Sequence, residues 1–535
     1  MRKLFLLCAL LVSLVGQYAC AELNSDRVIS YQCLVADYSD SKGAISPALS
    51  PDGKWLACLT PYERTLMILE SRPDTPWSGP WQPTIEFPGS DKKDSGLVGT
   101  DAKRRDLDWS PDGKRLAVIC RGRLVIVESA DLDLSRTSLN AQLIAEPRSP
   151  RELELRADQL SDAGQIGKEF CLESPRWSPD GSKIAFVCPF GPLKTLCAVD
   201  VATGKITVLA KDAGNSVSDW DRPWSPDGRS LVYNAVKFAN KKLTSIGICV
   251  VSADGTNPRV IVRSSGTGEP TWSPANNTIA FRDELKSRSV STIAIFTCGS
   301  NGEHVRRVTA PDGITMKRMD AQFATTIKQT RQWLVQHYPG FYSEAQLNRL
   351  SEDKYLFMLG YGMAMLAEAR TSQTDPSLRK RTQAIWEKYV KTGTVNPNSL
   401  MPISDTFSGA SRDRMDEIRK LILSPVIQAI CQVPLDHTPV WSPDGKRIAF
   451  LRSRAAALIS DTSPAKPEVI LLDMANDKGT NLGSMGNVRC ITWTKDSRRL
   501  LFESRRDMQL EPNSDGGIAE TNPSYPEIWR VEPKQ

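Results

Sequence analysis

Trp177-Ser-Pro-Asp-Gly-Ser-Lys-Ile-Ala-Phe-Val187 is the stretch that decides the fold. Proline presets φ for a tight turn, aspartate caps it locally, and glycine accepts the left-handed conformation. A strand therefore ends at Trp177, the chain reverses, and a second strand follows with Ile184, Phe186 and Cys188 alternating on one face. The same phrase returns along the chain: LSPDGKWLACL from Leu49, WSPDGKRLAVI from Trp109, WSPDGRSLVYN from Trp224, WSPANNTIAFR from Trp272, WSPDGKRIAFL from Trp441 and WTKDSRRLLFE from Trp493. Several copies continue into a third strand, a second turn and a fourth strand. After Thr195–Val199, for example, Ala-Thr-Gly-Lys at 202–205 leads into Ile206–Ala210. A four-stranded unit with two apolar faces cannot hide both alone and must stack on its neighbours. Arranged radially, such units make a β-propeller.

Chain-end arithmetic sets the number of blades. The last unit has strands near Arg489–Thr494, Arg499–Ser504 and Glu527–Val531 and then runs out of chain, while Arg27–Ala36 is an orphan strand ahead of the first repeat. If that strand fills the gap, no sheet edge stays open. The expectation is an all-β, seven-bladed propeller.

The WSPDG phrases resemble the PD40, or TolB-like, family of WD40-like propeller repeats, over the whole mature chain except one insertion. The resemblance implies a propeller in the periplasm or cell envelope. It departs from TolB itself, whose propeller follows a separate α/β domain; here only about 25 residues lie between the leader and the first repeat. The partner-binding role of TolB in the Tol system therefore does not carry over. Related propellers can precede a serine peptidase, but this chain has no GxSxG elbow. Uronate-oligomer lyases use a histidine-rich manganese site, whereas His304, His337 and His437 are scattered here.

The insertion shows in the repeat spacing. Successive Ser-Pro pairs at 50, 110, 178, 225, 273 and 442 leave a last step of 169 residues, against 47 to 68 before it. The surplus, 318–432, is about 115 residues of helical pattern between blades 5 and 6. Asp320–Tyr338 places Phe323, Ile327 and Leu334 on one face. Further helices are expected from Ser343, over Tyr355–Arg370, from Asp375 and from Ser411. Blades 1–5 with the closing strand then occupy 22–317, and blades 6–7 occupy 433–535.

Residues 1–21 read as a signal peptide, with Arg2 and Lys3, an apolar run from Leu4 to Val15, and Ala19-Cys20-Ala21 at the cleavage site. The mature chain is expected to be exported, periplasmic or secreted. A lipid anchor at Cys20 is the competing reading. No later stretch is long and apolar enough for a membrane helix. Losing Arg2 and Lys3 brings the net charge from +6 to +4, too little for a dedicated nucleic-acid binder. That +4 lies in the insertion, which holds 15 Lys+Arg and 11 Asp+Glu. Ten cysteines remain, with no CxxC or zinc spacing; Cys188 and Cys197 flank one hairpin and form the best cross-strand pair.

Propeller chemistry usually sits at the channel mouth, just before each innermost strand. Three or four positions before each repeat's tryptophan stand Asp106, Glu173, Asp221, Glu269, His437 and Arg489; the first unit offers Ile45 and Ser46. Four converging carboxylates would suit a hard divalent cation such as calcium, or a basic peptide. They would otherwise be solvated loop charges. The repeated aspartates, always between proline and glycine, are explained by the turn and are not read as catalytic. Long loops at Pro73–Asp106 and Ala130–Glu173 are candidate binding segments, with Trp77 and Trp81 as contact aromatics. The leading expectation is a protein- or peptide-binding scaffold with no catalytic residue and no cofactor of its own. The alternative is a channel-mouth carbohydrate-active enzyme or a cation-dependent ligand-binding protein.

Overall fold

The computed structural model describes residues 28–35, 45–59, 66–70, 84–86, 106–120, 123–132, 138–140, 142–145, 172–188, 193–214, 221–239, 242–264, 266–286, 291–309, 313–338, 413, 417, 434–454, 467–484, 487–505, 510–512, 518–520 and 526–533. Strands dominate them.

Each repeat folds as an antiparallel sheet, named here by the residue that ends its innermost strand. The Trp177 unit shows the plan. Glu173–Trp177 pairs with Lys183–Cys188, then Lys194–Asp200, then Ile206–Ala213. The Trp109 unit runs Leu107–Trp109, Arg115–Cys120, Arg123–Glu128 and Gln142–Ala145. In the Trp224 unit the innermost strand is reduced to one bridge, Trp224 to Leu231. In the Trp493 unit Asn487–Trp493 is innermost, followed by Leu500–Arg505 and Pro526–Pro533, and Val28–Val35 from the other end of the chain is outermost. That pairing covers the backbone edge that the last strand would otherwise present.

The tight turns repeat as closely as the sequence does. In the Leu49, Trp109, Trp177, Trp224 and Trp441 units the serine hydroxyl donates to the aspartate two residues on, at 2.5–2.6 Å. The same hydroxyl oxygen accepts a backbone N–H five residues on at 2.9 Å. The glycines of these turns have φ of 68–74°, which explains their identity. In the last unit Thr494 and Asp496 reproduce the bonding, and Ser497 takes the positive φ at 58°.

Sheets pack face to face around a ring, one apolar cluster per neighbouring pair. Trp55, Ile68, Trp109 and Val125 join the Leu49 and Trp109 units. Ile126, Trp177 and Phe186 join the Trp109 and Trp177 units. The series continues around the chain and returns to its start, where Leu501 and Ile528 pack on Leu56, Cys58 and Met67. Radially stacked antiparallel sheets whose last packs on the first make a β-propeller.

The tryptophans do more than fill these interfaces. Indole Nε1 of Trp109, Trp177, Trp224 and Trp493 donates to the carbonyl one residue before the equivalent position of the preceding unit: Ala48, Asp108, Arg176 and Val440, at 3.0–3.2 Å. Arg115 lies 4.6 Å over the Trp177 ring and donates to Gly181 O of that unit. Arg447 repeats the device over Trp493, at 5.0 Å, donating to Ser497 O.

Of the expected helical insertion the structure describes one long helix, α1 (Gly313–His337). It starts ahead of Asp320 and crosses the expected boundary at 318, because Met316–Met319 are good helix formers that extend it backward. Thr330, Trp333, Leu334 and the following Tyr338 are buried. Trp333 stacks on His337 and donates to Glu417 Oε1 at 3.1 Å. Asp413 and Glu417 are also helical; the other expected helices lie outside the described residues. No described helix is long and apolar enough to cross a membrane. The leader and Cys20 lie outside the described residues.

Candidate functional site

Every innermost strand runs toward its Ser-Pro turn, so those turns share one side of the ring and the strand starts share the other, the channel mouth. Four starts have the same local form. Ser46, Ser174, Glu269 and Thr438 each precede a proline, each have φ of 50–56°, and each sit in a bulge against the second strand. A positive φ is uncommon outside glycine. In three of the four, a carboxylate from the preceding unit holds the strained N–H.

Asp106 Oδ1 accepts the Ser174 N–H at 3.3 Å, Glu269 Oε2 accepts the Thr438 N–H at 2.5 Å, and Glu503 Oε2 accepts the Ser46 N–H at 3.1 Å. Asp106 and Glu269 are three positions before their own tryptophans and act on the third position before the next one. Where the last unit has Cys490 at that position, Glu503 on the second strand takes over and reaches the first unit. The carboxylates thus latch unit to unit.

The remaining candidates are also engaged. Glu173, 0% exposed, pairs with Lys194 Nζ at 2.7 Å. Glu269 Oε1 pairs with Arg282 at 3.0 Å, and Asp221 lies 3.7 Å from the guanidinium of Arg222. His437 bonds Ser453 Oγ through Nε2 at 2.9 Å and Thr438 Oγ1 through Nδ1 at 3.1 Å. Arg489 lies on the innermost strand of its unit, its side chain outside the described residues, as are Trp77 and Trp81. Among the described residues no three His, Cys, Asp or Glu side chains form a metal-binding group. Asp106, Glu173 and Glu269 are held by protein groups: a backbone N–H of the next unit for Asp106, Lys194 for Glu173, and both a backbone N–H and Arg282 for Glu269.

Glu503 escaped the sequence reading, and so did Asp436 and a proline signal. Asp436, 0% exposed, accepts two bonds from the Arg452 fork at 2.7 and 2.9 Å; it stands five positions before Trp441, outside the span considered. Proline two residues before the strand end, at 47, 175, 270 and 439, is the other signal. It marks the bulged starts and was hidden beside the louder Ser-Pro-Asp-Gly.

Asp108 faces a different environment. It accepts the Trp177 N–H at 2.7 Å, and burial pushes its carboxyl up to about 6, against the pull of nearby Arg176. The folded chain holds this proton more tightly than the unfolded chain does. The stabilisation is full below about pH 4 and is lost as pH rises through about 6. Asp108→Asn keeps an acceptor for Trp177 and removes that loss, so at pH 7.5 it is expected to stabilise by about 1–3 kcal/mol. Denaturant unfolding at pH 5 and pH 7.5 checks this; identical pH dependence in both proteins would contradict it. The turn aspartates act oppositely. The Ser110 hydroxyl and Lys114 N–H hold Asp112 below the usual carboxylate range, as Ser225 and Arg229 do Asp227. Their contribution is lost as pH falls through their lowered values.

No family model matches the chain. Among solved structures it is similar to a putative TolB from Agrobacterium tumefaciens, at 18% identity and TM-score 0.29, over 49% of this chain and 79% of that one. TolB from Acinetobacter baumannii matches at 11% identity and TM-score 0.33, over 90% and 77%. An oligogalacturonate lyase in complex with manganese matches at 10% identity and TM-score 0.44, over 95% and 97%. All three scores are below 0.5 and all identities below 25%, so the propeller rests on the strand pairing and shared cores described above.

Proposed function

We propose that this chain is an exported, TolB-like propeller of seven blades that serves as a protein- or peptide-binding scaffold in the periplasm or cell envelope. The observation that carries the reading is the commitment of the mouth carboxylates. Asp106, Glu269 and Glu503 hold neighbouring units together, so recognition falls to the chain segments between blades. The described strand ends support this. Gln142–Ala145 ends and Glu173–Trp177 begins on the mouth side. The chain likewise leaves the Trp272 unit after Arg306–Arg307 heading for that side and re-enters it at Pro434. The described residues that flank 146–171 and 310–433 thus lie at strand ends beside the channel mouth, away from the turns. The insertion, taken as a helical domain, would supply the second contact surface, and its +4 charge favours an acidic partner.

The test is affinity capture from the exported fraction with the full mature chain and with a version in which a short linker replaces 318–432, followed by rebinding of the purified captured protein. A partner that binds the full chain and not the shortened, still-folded one is the expected result. Equal capture by both forms, or unfolding of the shortened form, would remove the insertion as a contact surface.

A further inference from the structure

The Trp177 unit carries two cysteines on neighbouring strands, Cys188 at the end of the second strand and Cys197 within the third. Register decides how they meet. Ile184 opposes Val199, Phe186 opposes Cys197 and Cys188 opposes Thr195, so all six lie on one face and the cysteines are diagonal neighbours. Both are enclosed, at 2% and 0% exposure, in the apolar cluster shared with the Trp109 unit. The neighbouring Cys197 thiol, together with burial, holds Cys188 well above the usual thiol range. Three other buried thiols have different company: Cys58 has Glu503 nearby, Cys249 has Asp212 and Tyr233, and Cys298 has Glu303.

We propose that Cys188 and Cys197 are a cross-linking site that closes into a cross-strand disulfide when the chain folds in the presence of a small-molecule disulfide. One cysteine, as thiolate, attacks a sulfur of the oxidant and releases one thiolate. The second cysteine then attacks the mixed disulfide and releases the other. Two electrons pass to the oxidant, and the two protons lost by the cysteines end on the released thiols. Diagonal neighbours on one face reach bonding distance by side-chain rotation with a small local approach of the two strands, so the strand register is kept. Burial sets the timing. In the finished ring both cysteines are enclosed and Cys188 is held as the thiol, so closure is fast before the Trp109 sheet packs on this face and slow afterwards. Once formed, the bond is shielded from reductants by the same packing.

Trypsin makes the test direct, because cleavage after Lys183, Lys194 and Lys205 puts the cysteines on separate peptides, 184–194 and 195–205. The full mature chain is refolded with oxidised glutathione, free thiols are alkylated in denaturant, and the digest is read by mass spectrometry. The expected product is the 184–194/195–205 linked pair, formed far faster during refolding than by adding glutathione disulfide to folded, reduced protein. Wild-type chain refolded with oxidised glutathione should melt about 2 °C higher than wild-type chain refolded with reductant, and Cys188→Ser should melt the same after either treatment. Alkylation of both peptides after oxidative refolding overturns the proposal, and so does linkage of either cysteine to a different one. The mass-spectrometric arm uses only the wild-type chain, so a Cys188→Ser variant that fails to fold does not blunt it.

Discussion

A mature chain lacking residues 22–36 is expected to lose closure of the ring. Val28–Val35 is the outermost strand of the sheet whose other strands come from the C-terminal end, and it pairs with Pro526–Pro533 over most of its length. Removing it strips hydrogen-bond partners from that strand and exposes a sheet edge about eight residues long. The apolar cluster joining the last unit to the first, with Leu501 and Ile528 on Leu56 and Met67, depends on the same sheet. A fall in Tm of about 10 °C is expected, with concentration-dependent association through the new edge. Thermal melts and light scattering check both effects, and a synthetic peptide of residues 22–36 added in trans should reverse them. An unchanged Tm and a monomeric truncated chain would mean that the ring closes without this strand.

Glu269→Ala is expected to be the most damaging single substitution at the channel mouth. Its carboxylate does two jobs: Oε2 accepts the N–H of Thr438, held at φ 55°, and Oε1 pairs with Arg282. Alanine leaves an unsatisfied N–H between units and an arginine without its counter-charge, a loss of about 2–4 kcal/mol. Glu269→Gln keeps an acceptor for Thr438 and should lose about half as much. Asp106→Ala removes one longer bond, to Ser174, and should cost about 1 kcal/mol. Denaturant unfolding of the three variants reads the order directly. A Glu269→Ala protein as stable as wild type would show that the latch holds nothing.

The repeat made the fold legible because a Ser-Pro-Asp-Gly turn is local: all the groups it needs lie within six residues. The orphan strand at Arg27–Ala36 was legible for a different reason. A unit one strand short and a strand without a unit leave one economical pairing, and Val28–Val35 lies beside Pro526–Pro533. The mouth residues were legible in place, and their partners were not. Counting back from each tryptophan found Asp106 and Glu269, but their partners are backbone groups of the next unit, 68 and 169 residues away. Glu503 was beyond reach of the counting rule, since it serves the first unit from a second strand. The indole bonds from the tryptophans to the preceding unit need the ring to be closed before they can be seen.

The most direct test of whether the mouth carboxylates hold the ring together, and not a bound ion, is a set of thermal melts with and without millimolar calcium. Full-length mature protein, Glu269→Gln and Asp221→Ala are compared. The account expects calcium to leave the wild-type Tm unchanged and Glu269→Gln to melt lower in both conditions. A calcium-dependent rise in the wild-type Tm that both substitutions abolish would contradict it and return these carboxylates to the role of cation ligands.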